Sequence, residues 1–392
     1  MEALTIAVLL FWACAALIFY AYLGYPIVIW ALSRVFGRPP TPPAGDDGEW
    51  PLVSLLIPAF NEEVVLSDRL QNALAMDYPV GKLEIVVGSD GSTDATAAIA
   101  RAYAGRGVRL MEYDLRRGKA TILNESMPEL SGEIVLMSDA NTLLDPAALR
   151  KLVRWFRDPT VGTVCGRLLL IDPAEGRNVD GLYWKYETFI KQCENRLGAL
   201  LGANGGIYAT RKALYYPIPA TTTVDDLVIP LRAKLKTGCR IVYEAEAIAR
   251  EETAPDINGE FRRRARNGTG DLRSLEILWP LLNPIWGWTA FTFFSHKVLR
   301  LACPFLLLIL LGSSLLLRDH PLYQAALIGQ VGFYLVSLLA GRLPPRPRAF
   351  KFLRLTTMFV GMNLALMVGF WRWIWGTQKG TWRPTGRHGQ RA

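Results

Sequence analysis

IVVGSDGSTDAT, residues 85–96, decides the reading of this chain. The short apolar run Ile85–Val87 ends in Gly88, Ser89, Asp90 and Gly91, and Ser92 or Asp94 then stands where it can cap the Ala-rich stretch that follows. Apolar run, acidic turn, helix is what a parallel sheet writes where the carboxyl ends of its strands face a ligand. The same grammar recurs on both sides. Leu52–Ile57 is an apolar run stopped by Pro58, and Asn61–Met76 has helical spacing. Val108–Glu112 leads to a helix over Lys119–Met127, and Glu133–Ser138 ends at Asp139 before a helix over Pro146–Phe156. Further on, Val161–Ile171 reads as a strand pair or extended run. Leu182–Arg196 and Val228–Lys236 read as helices, and Ile207–Arg211, Arg240–Tyr243 and Ala247–Arg250 as strands. This alternation predicts an α/β domain on a mostly parallel sheet with helices on both faces.

The flanks differ in character. With 51% hydrophobic and 20% charged residues, the 392-residue chain is too apolar for an ordinary soluble protein. Ala3–Ser33 carries no charge and exceeds the roughly 20 residues that cross a bilayer. Its acidic start, Glu2, and its length argue against a cleaved signal peptide. Leu301–Leu317, Leu322–Gly341 and Leu355–Trp371 are further uncharged runs. The expected organisation is a membrane helix over 1–33, a Pro- and Gly-rich linker over 34–51 and the α/β domain over 52–260. Amphipathic helices at the membrane surface follow over 261–297, where Trp279, Trp286 and Trp288 suit the interface. About three membrane helices occupy 298–376, and a basic tail 377–392.

Arg34 and Arg38 follow the first span, and Arg342, Arg346, Arg348, Lys351 and Arg354 separate the last two. Positive-inside logic puts both segments, and with them the α/β domain, in the cytoplasm. Four crossings would then carry the tail outside, although it holds Lys379, Arg383, Arg387 and Arg391. One interfacial or re-entrant segment would remove that conflict.

The net charge of +9 lies largely near the membrane edges, which favours anionic headgroups and phosphate-bearing substrates over nucleic acid. Cys14, Cys165, Cys193, Cys239 and Cys303 lack pair spacing and read as reduced residues, with no zinc site and no disulfide framework. His296, His320 and His388 lie near or beyond the membrane segments, so acid and base chemistry falls to carboxylates.

Several positions carry candidate chemistry, each with a plain structural alternative. Pro58, Ala59, Asn61 and Glu62 follow the first strand and either hold a nucleoside or simply begin a helix. Asp90 either accepts hydrogen bonds from base or ribose or belongs to a capped turn. Lys119, at a helix start, either meets a diphosphate or is solvated. Asp139 and Asn141 are oxygen ligands one residue apart, suited to a hard divalent cation, or an ordinary turn. Asp225 and Asp226 either cap a helix or supply a general base. Arg262, Arg263, Arg264 and Arg266 either bind headgroups or clamp a diphosphate, with Arg263 and Arg266 as donor-binding candidates.

In this order the pieces resemble the membrane-embedded enzymes of glycosyltransferase family 2, the group of cellulose, hyaluronan and poly-N-acetylglucosamine synthases. The resemblance covers about Leu52–Leu282. It implies a GT-A (Rossmann-like) catalytic domain, cytoplasmic and anchored by transmembrane helices in a bacterial plasma membrane. SDGSTD at Ser89–Asp94 is similar to the family's nucleoside-binding turn, which implies a base or ribose contact for Asp90. SDAN at Ser138–Asn141 is similar to its metal motif, which implies Mg2+ or Mn2+ at Asp139 with Asn141 in the second position. GANGGIYATRK at Gly202–Lys212 is similar to the acceptor-side loop, which makes Asn204, Gly205 and Gly206 acceptor candidates. VDD at Val224–Asp226 resembles the motif whose last Asp, here Asp226, is the base.

Two departures stand out. The metal motif ends in Asn141, and the Gln-x-x-Arg-Trp motif falls on Arg263–Asn267, where only Arg266 matches. The resemblance thus implies an inverting, metal-dependent transfer from a nucleotide-diphosphate sugar, a UDP-sugar first, to a polysaccharide. A secretion or accessory subunit would be a natural partner. The missing Gln and Trp keep open single addition to a polyprenyl phosphate or glycolipid, and Asn141 keeps open a non-catalytic membrane scaffold.

Overall fold

The computed structural model describes residues 2–43, 49–171, 181–252, 257–340, 351–378 and 380–381. Arg342, Arg346 and Arg348 of the expected basic loop, His388, and the basic residues of the expected tail lie outside the described residues. Two compact units emerge. A helical unit comprises Met1–Val28, Ile257–Leu272 and Phe293–Thr377, and a sheet unit Ile29–Asp256, Arg273–Thr292 and Gln378–Ala392.

The strands of the sheet unit are β1 (Val53–Ala59), β2 (Leu83–Asp90), β3 (Val108–Tyr113), β4 (Ile134–Met137), β5 (Thr142–Leu144), β6 (Val161–Ile171), β7 (Tyr208–Arg211) and β8 (Arg240–Glu252). They form one sheet in the order β3-β2-β1-β4-β7-β6-β8-β5. β1 lies between β2 and β4, parallel to both, and is buried at every position. That is why its sequence is a continuous apolar run rather than an alternating one. Pro58 is tolerated because the pairing with β4 ends at Leu56, so its missing N–H breaks no bond on that side. β7 runs antiparallel to β4 and β6, and β5 antiparallel to β8, which makes the sheet mixed but mostly parallel.

Helices α1 (Glu2–Phe19) and α2 (Tyr25–Val35) precede the sheet, and the connections inside it are mostly helical. These are α3 (Glu63–Leu74), α4 (Thr96–Ala102), α5 (Lys119–Glu129), α6 (Ala148–Val153), α7 (Leu182–Arg196) and α8 (Asp225–Thr237). Leu66 and Leu70 of α3 and Leu149 and Leu152 of α6 pack with Leu55, Ile57, Val87 and Leu136 in one core. Each such buried side chain contributes roughly 1.5–3 kcal/mol.

Two sequence expectations change. Arg240–Tyr243 and Ala247–Arg250 belong to one strand, β8, whose register against β6 jumps from Gly166–Glu244 to Arg167–Ile248. The bulge is held by Glu244, whose carboxylate accepts from Arg154 Nη2 at 2.6 Å, Trp155 Nε1 at 2.8 Å and Glu246 N at 3.0 Å. Its polar residues interrupt the apolar pattern and make one strand read as two. β5 was not expected, because three residues are too short to show a period.

After β8 come α9 (Ile257–Leu278), α10 (Trp288–Thr292), α11 (Leu299–Leu316), α12 (Pro321–Ala340) and α13 (Lys351–Ile374), with α10 and the end of α9 in the sheet unit. By length and composition alone, Glu2–Val35, Trp288–Leu316, Pro321–Ala340 and Leu355–Ile374 suffice to cross a membrane. A π-helical turn at Tyr20–Gly24 joins α1 to α2. Leu4, Ile6, Leu9, Trp12 and Phe19 are exposed along α1, an apolar surface suited to lipid. Within the helical unit Phe11 meets Tyr323 edge to face, Thr357 Oγ1 donates to Ser337 O, and Thr269 Oγ1 donates to Gly369 O.

Candidate active site

The loops that follow β1 and β2 are zipped together. Asn61 has φ +54°, a left-handed conformation that Asn accepts more readily than most residues. Its Oδ1 accepts from Thr93 N at 2.8 Å, and its backbone N–H donates to Ser92 Oγ at 3.2 Å. Glu62 N donates to Thr96 Oγ1, Glu63 N to Asp94 Oδ2, and Ala95 N to Glu63 Oε2. Neither expected cap takes the N-cap position of α4, which is Ala95; Asp94, one residue earlier, accepts from Thr96 N at 3.0 Å.

Asp90 ends β2 and is fully buried. Its Oδ1 accepts from Arg117 N at 2.7 Å and its Oδ2 from Gly118 N at 2.8 Å. Both oxygens therefore hold the loop before α5. Gly118, at φ +98°, makes the turn that starts this helix. In the same loop the Arg116 guanidinium stacks over Phe60, 3.8 Å from the ring centroid, and joins the β3 side to the β1 side.

α5 begins at Lys119, whose Nζ donates to Asp139 Oδ1 at 2.9 Å and lies 3.2 Å from Asp225 Oδ2. Burial alone would lower this ammonium, but Asp139, Asp225 and Asp226 outweigh it and hold it above the ordinary lysine value. Asp225 and Asp226 open α8, whose N-cap residue is Val224, so neither serves as the cap. Asp225 also accepts from Tyr208 Oη at 3.2 Å, and burial and the two carboxylates keep that phenol protonated. Asp226 Oδ2 accepts from Gly205 N at 3.1 Å. A Cβ at Gly205 would stand 3.6 Å from Asp226 Oδ2 and 3.7 Å from Asp139 Oδ2, so both carboxylates border the space that this glycine leaves. The site is thus a lysine ringed by three carboxylates, beside a glycine loop, at the carboxyl end of the sheet.

The sequence profile described as "Glycosyltransferase like family 2" matches residues 51–270. The chain belongs to glycosyltransferase-like family 2. A poly-beta-1,6-N-acetyl-D-glucosamine synthase of Staphylococcus epidermidis is 26% identical over 244 residues, 59% of this chain and 57% of that protein. The protein of that name from Staphylococcus aureus (strain COL) is 26% identical over 231 residues, 56% of this chain and 54% of its own. The chain therefore spans little more than half the length of these curated relatives. A solved mannosyltransferase, PcManGT from Pyrobaculum calidifontis in complex with GDP-Man and Mn2+, superposes with a TM-score of 0.70 and 22% identity. That match takes in 93% of this chain and 99% of that one, and shows the GT-A fold.

In this chain Asp139, Lys119, Asp225, Asp226 and Gly205 come together. Pro58 and Ala59 end β1, while Asn61 and Glu62 are engaged with the loop after β2. Three candidates make hydrogen bonds within the protein. Asp90 faces the backbone of Arg117 and Gly118, because buried N–H groups must find acceptors. Asn204 is buried, with Nδ2 donating to Gly166 O at 2.7 Å and Oδ1 accepting from Lys191 Nζ, so it anchors the acceptor-side loop. Asn141 Nδ2 donates to Glu251 Oε1 at 3.1 Å, toward β8. Gly206 O accepts from Ser138 Oγ at 2.7 Å and ties that loop to the end of β4. Arg263 and Arg266 lie on α9, in the helical unit.

A hard divalent cation fits the donor set. Asp139 offers a carboxylate with a 37% exposed side chain, and Mg2+ or Mn2+ is commonly held by one or two carboxylates plus substrate phosphates. No cluster of three or more His, Cys, Asp or Glu ligands occurs among the described residues, so such an ion would draw most ligands from phosphate and water. Sequence reasoning missed Tyr208, Lys191 and the Arg116–Phe60 stack, whose partners are remote in sequence. It also missed the chain after α13. A Cβ at Gly118 would stand 2.8 Å from Gly380 O, and one at Gly380 would meet Ala220 O. The described start of the tail thus threads between the loops that precede α5 and α8.

Proposed function

We propose that this protein is an inverting transferase that moves a sugar from a nucleotide-diphosphate sugar to a glycan or lipid-linked acceptor. The observation that carries this reading is the convergence of Asp139, Asp225 and Asp226 on Lys119. Asp226, held by the Gly205 N–H, accepts the proton of the acceptor hydroxyl as its oxygen attacks the anomeric carbon in line. A new glycosidic bond forms, the bond from that carbon to the diphosphate oxygen breaks, and the nucleoside diphosphate leaves. Lys119, at a helix N-terminus, places a positive charge where the leaving group gathers negative charge. A divalent cation at Asp139, when bound, neutralises the same diphosphate.

The donor is read as a UDP-sugar and the product as a polysaccharide, in keeping with the relatives' name. Single addition to a polyprenyl phosphate or glycolipid is the second reading, favoured by the lack of Gln and Trp around Arg266. We place the protein in a bacterial plasma membrane with its sheet unit in the cytoplasm, in keeping with four helices among the described residues that are long and apolar enough to cross.

The test is nucleotide release by the detergent-solubilised protein against UDP-sugars and GDP-mannose, with Mn2+ or Mg2+ and then with EDTA. Metal-dependent release with one donor is expected, and a product ladder or a single added sugar separates the two acceptors. Absence of both release and donor binding would overturn the reading; binding without release across acceptors would favour the scaffold.

A further inference from the structure

The reaction as written makes no use of the buried cation Arg69. Arg69 of α3 is fully buried, and burial pulls its guanidinium down to about 10, opposed by the charge of Asp139. Nη1 donates to Asn72 Oδ1 at 3.0 Å, whereas Nε and Nη2 have no hydrogen-bond partner among the described residues. Asn72 also accepts from Leu144 N at 2.9 Å and donates to Leu144 O at 2.8 Å. Leu144 ends β5, the strand that starts three residues after Asp139. Arg69 and Asn72 therefore brace the segment that leads from Asp139.

Stability does not account for the charge. A buried guanidinium with unmet donors destabilises a fold, and an apolar side chain of similar volume is often neutral or better. A fixed positive charge inside a low-dielectric core does act on its surroundings; here the charge of Asp139 is felt at Arg69, and the Asn72–Leu144 hydrogen bonds tie Arg69 to the strand that follows Asp139. We propose that Arg69 is a positioning residue for the diphosphate and metal site: braced by Asn72, its charge weakens divalent-cation binding at Asp139 and strengthens binding of the donor's diphosphate. This rests on the assignment of Asp139 above.

The test compares wild type, Arg69→Met, Arg69→Lys and Asp139→Asn by calorimetry with Mn2+ alone and with UDP or GDP, alongside thermal unfolding. Arg69→Met is expected to bind Mn2+ roughly three- to tenfold more tightly and the nucleotide roughly three- to tenfold more weakly, without a lower Tm. Arg69→Lys restores both values. Unchanged affinities in folded Arg69→Met, or both affinities falling together with Tm, would overturn the proposal and leave Arg69 a structural residue. Mn2+ binding lost in Asp139→Asn but indifferent to Arg69 overturns this inference alone. Mn2+ binding indifferent to Asp139 removes the site assignment and this inference with it. Should Arg69→Met not fold, Arg69→Gln takes its place against Arg69→Lys, with the same outcomes.

Discussion

Lys119 donates to Asp139 across the gap between the start of α5 and the end of β4, at 2.9 Å, while Asp225 stands 3.2 Å from the same nitrogen. One ammonium thus relieves the repulsion among the carboxylates beside it, and no residue near it in sequence supplies those partners. Lys119→Met should weaken nucleotide diphosphate binding by about 10- to 100-fold, the worth of a charge-assisted contact. Its folded pKa lies above the ordinary 10.5, so its stabilising contribution is complete below pH 10.5 and declines only as pH rises through the folded value. The Tm gap between wild type and Lys119→Met should therefore stay level from about pH 7 to pH 10. A gap that closes in that window would contradict the assignment.

Asp226→Asn keeps the shape of the side chain and removes its basicity. Turnover should fall by about 10²–10⁴-fold, as expected for loss of a general base, with donor affinity within about threefold of wild type. Single-turnover rates and donor calorimetry on one preparation check both halves, and undiminished turnover would exclude Asp226 as the base.

Lys234 is buried, with Nζ donating to Gly198 O at 3.0 Å. Burial lowers its pKa from 10.5 to about 8. Between those values the unfolded chain binds the extra proton, so this residue adds stability as pH rises from about 8 to 10.5. The full swing is roughly 3 kcal/mol. Lys234→Met should be the more stable protein at pH 7, and its advantage should shrink through that window. Denaturant titrations of both proteins at several pH values decide this.

The tail carries a prediction about membrane topology. Gly380 packs against Gly118 and Ala220, so the chain before α11 and the chain after α13 return to the same unit. On the proposed membrane placement, an even number of crossings between Thr292 and Gln378 is required, although three long helices lie there. α13 should be the segment that does not cross; its stretch Leu355–Ile374 has the lowest mean hydropathy of the four, 1.2. All five native cysteines are buried, so Thr381→Cys and Lys236→Cys can be labelled in sealed vesicles against a low background. An impermeant maleimide should reach both from one side, and labelling from opposite sides would restore four crossings. In the same segment, Gly380→Val should lower kcat/KM by at least about tenfold, because a side chain there meets the Ala220 carbonyl. Steady-state kinetics would show whether the tail matters to the reaction.

What the sequence determined by itself is whatever depends on neighbours a few residues away. Period-2 and period-3.6 patterning is local, so β6 and α7 fall at the expected residues, Val161–Ile171 and Leu182–Arg196. The acidic residues at strand ends marked one rim of the sheet for the same reason. Strand order, and hence the meeting of remote loops, belongs to the tertiary structure. Nothing near Asn141 indicates that its amide reaches Glu251, 110 positions away, or that Asp90 holds the loop before α5. Periodicity assigns a side chain to a face, whereas its polar partner is chosen by which elements the sheet brings alongside and by the cost of leaving a buried group unpaired. Arg69 shows the difference most sharply: helical spacing places it inward, and only the folded sheet sets its charge against Asp139.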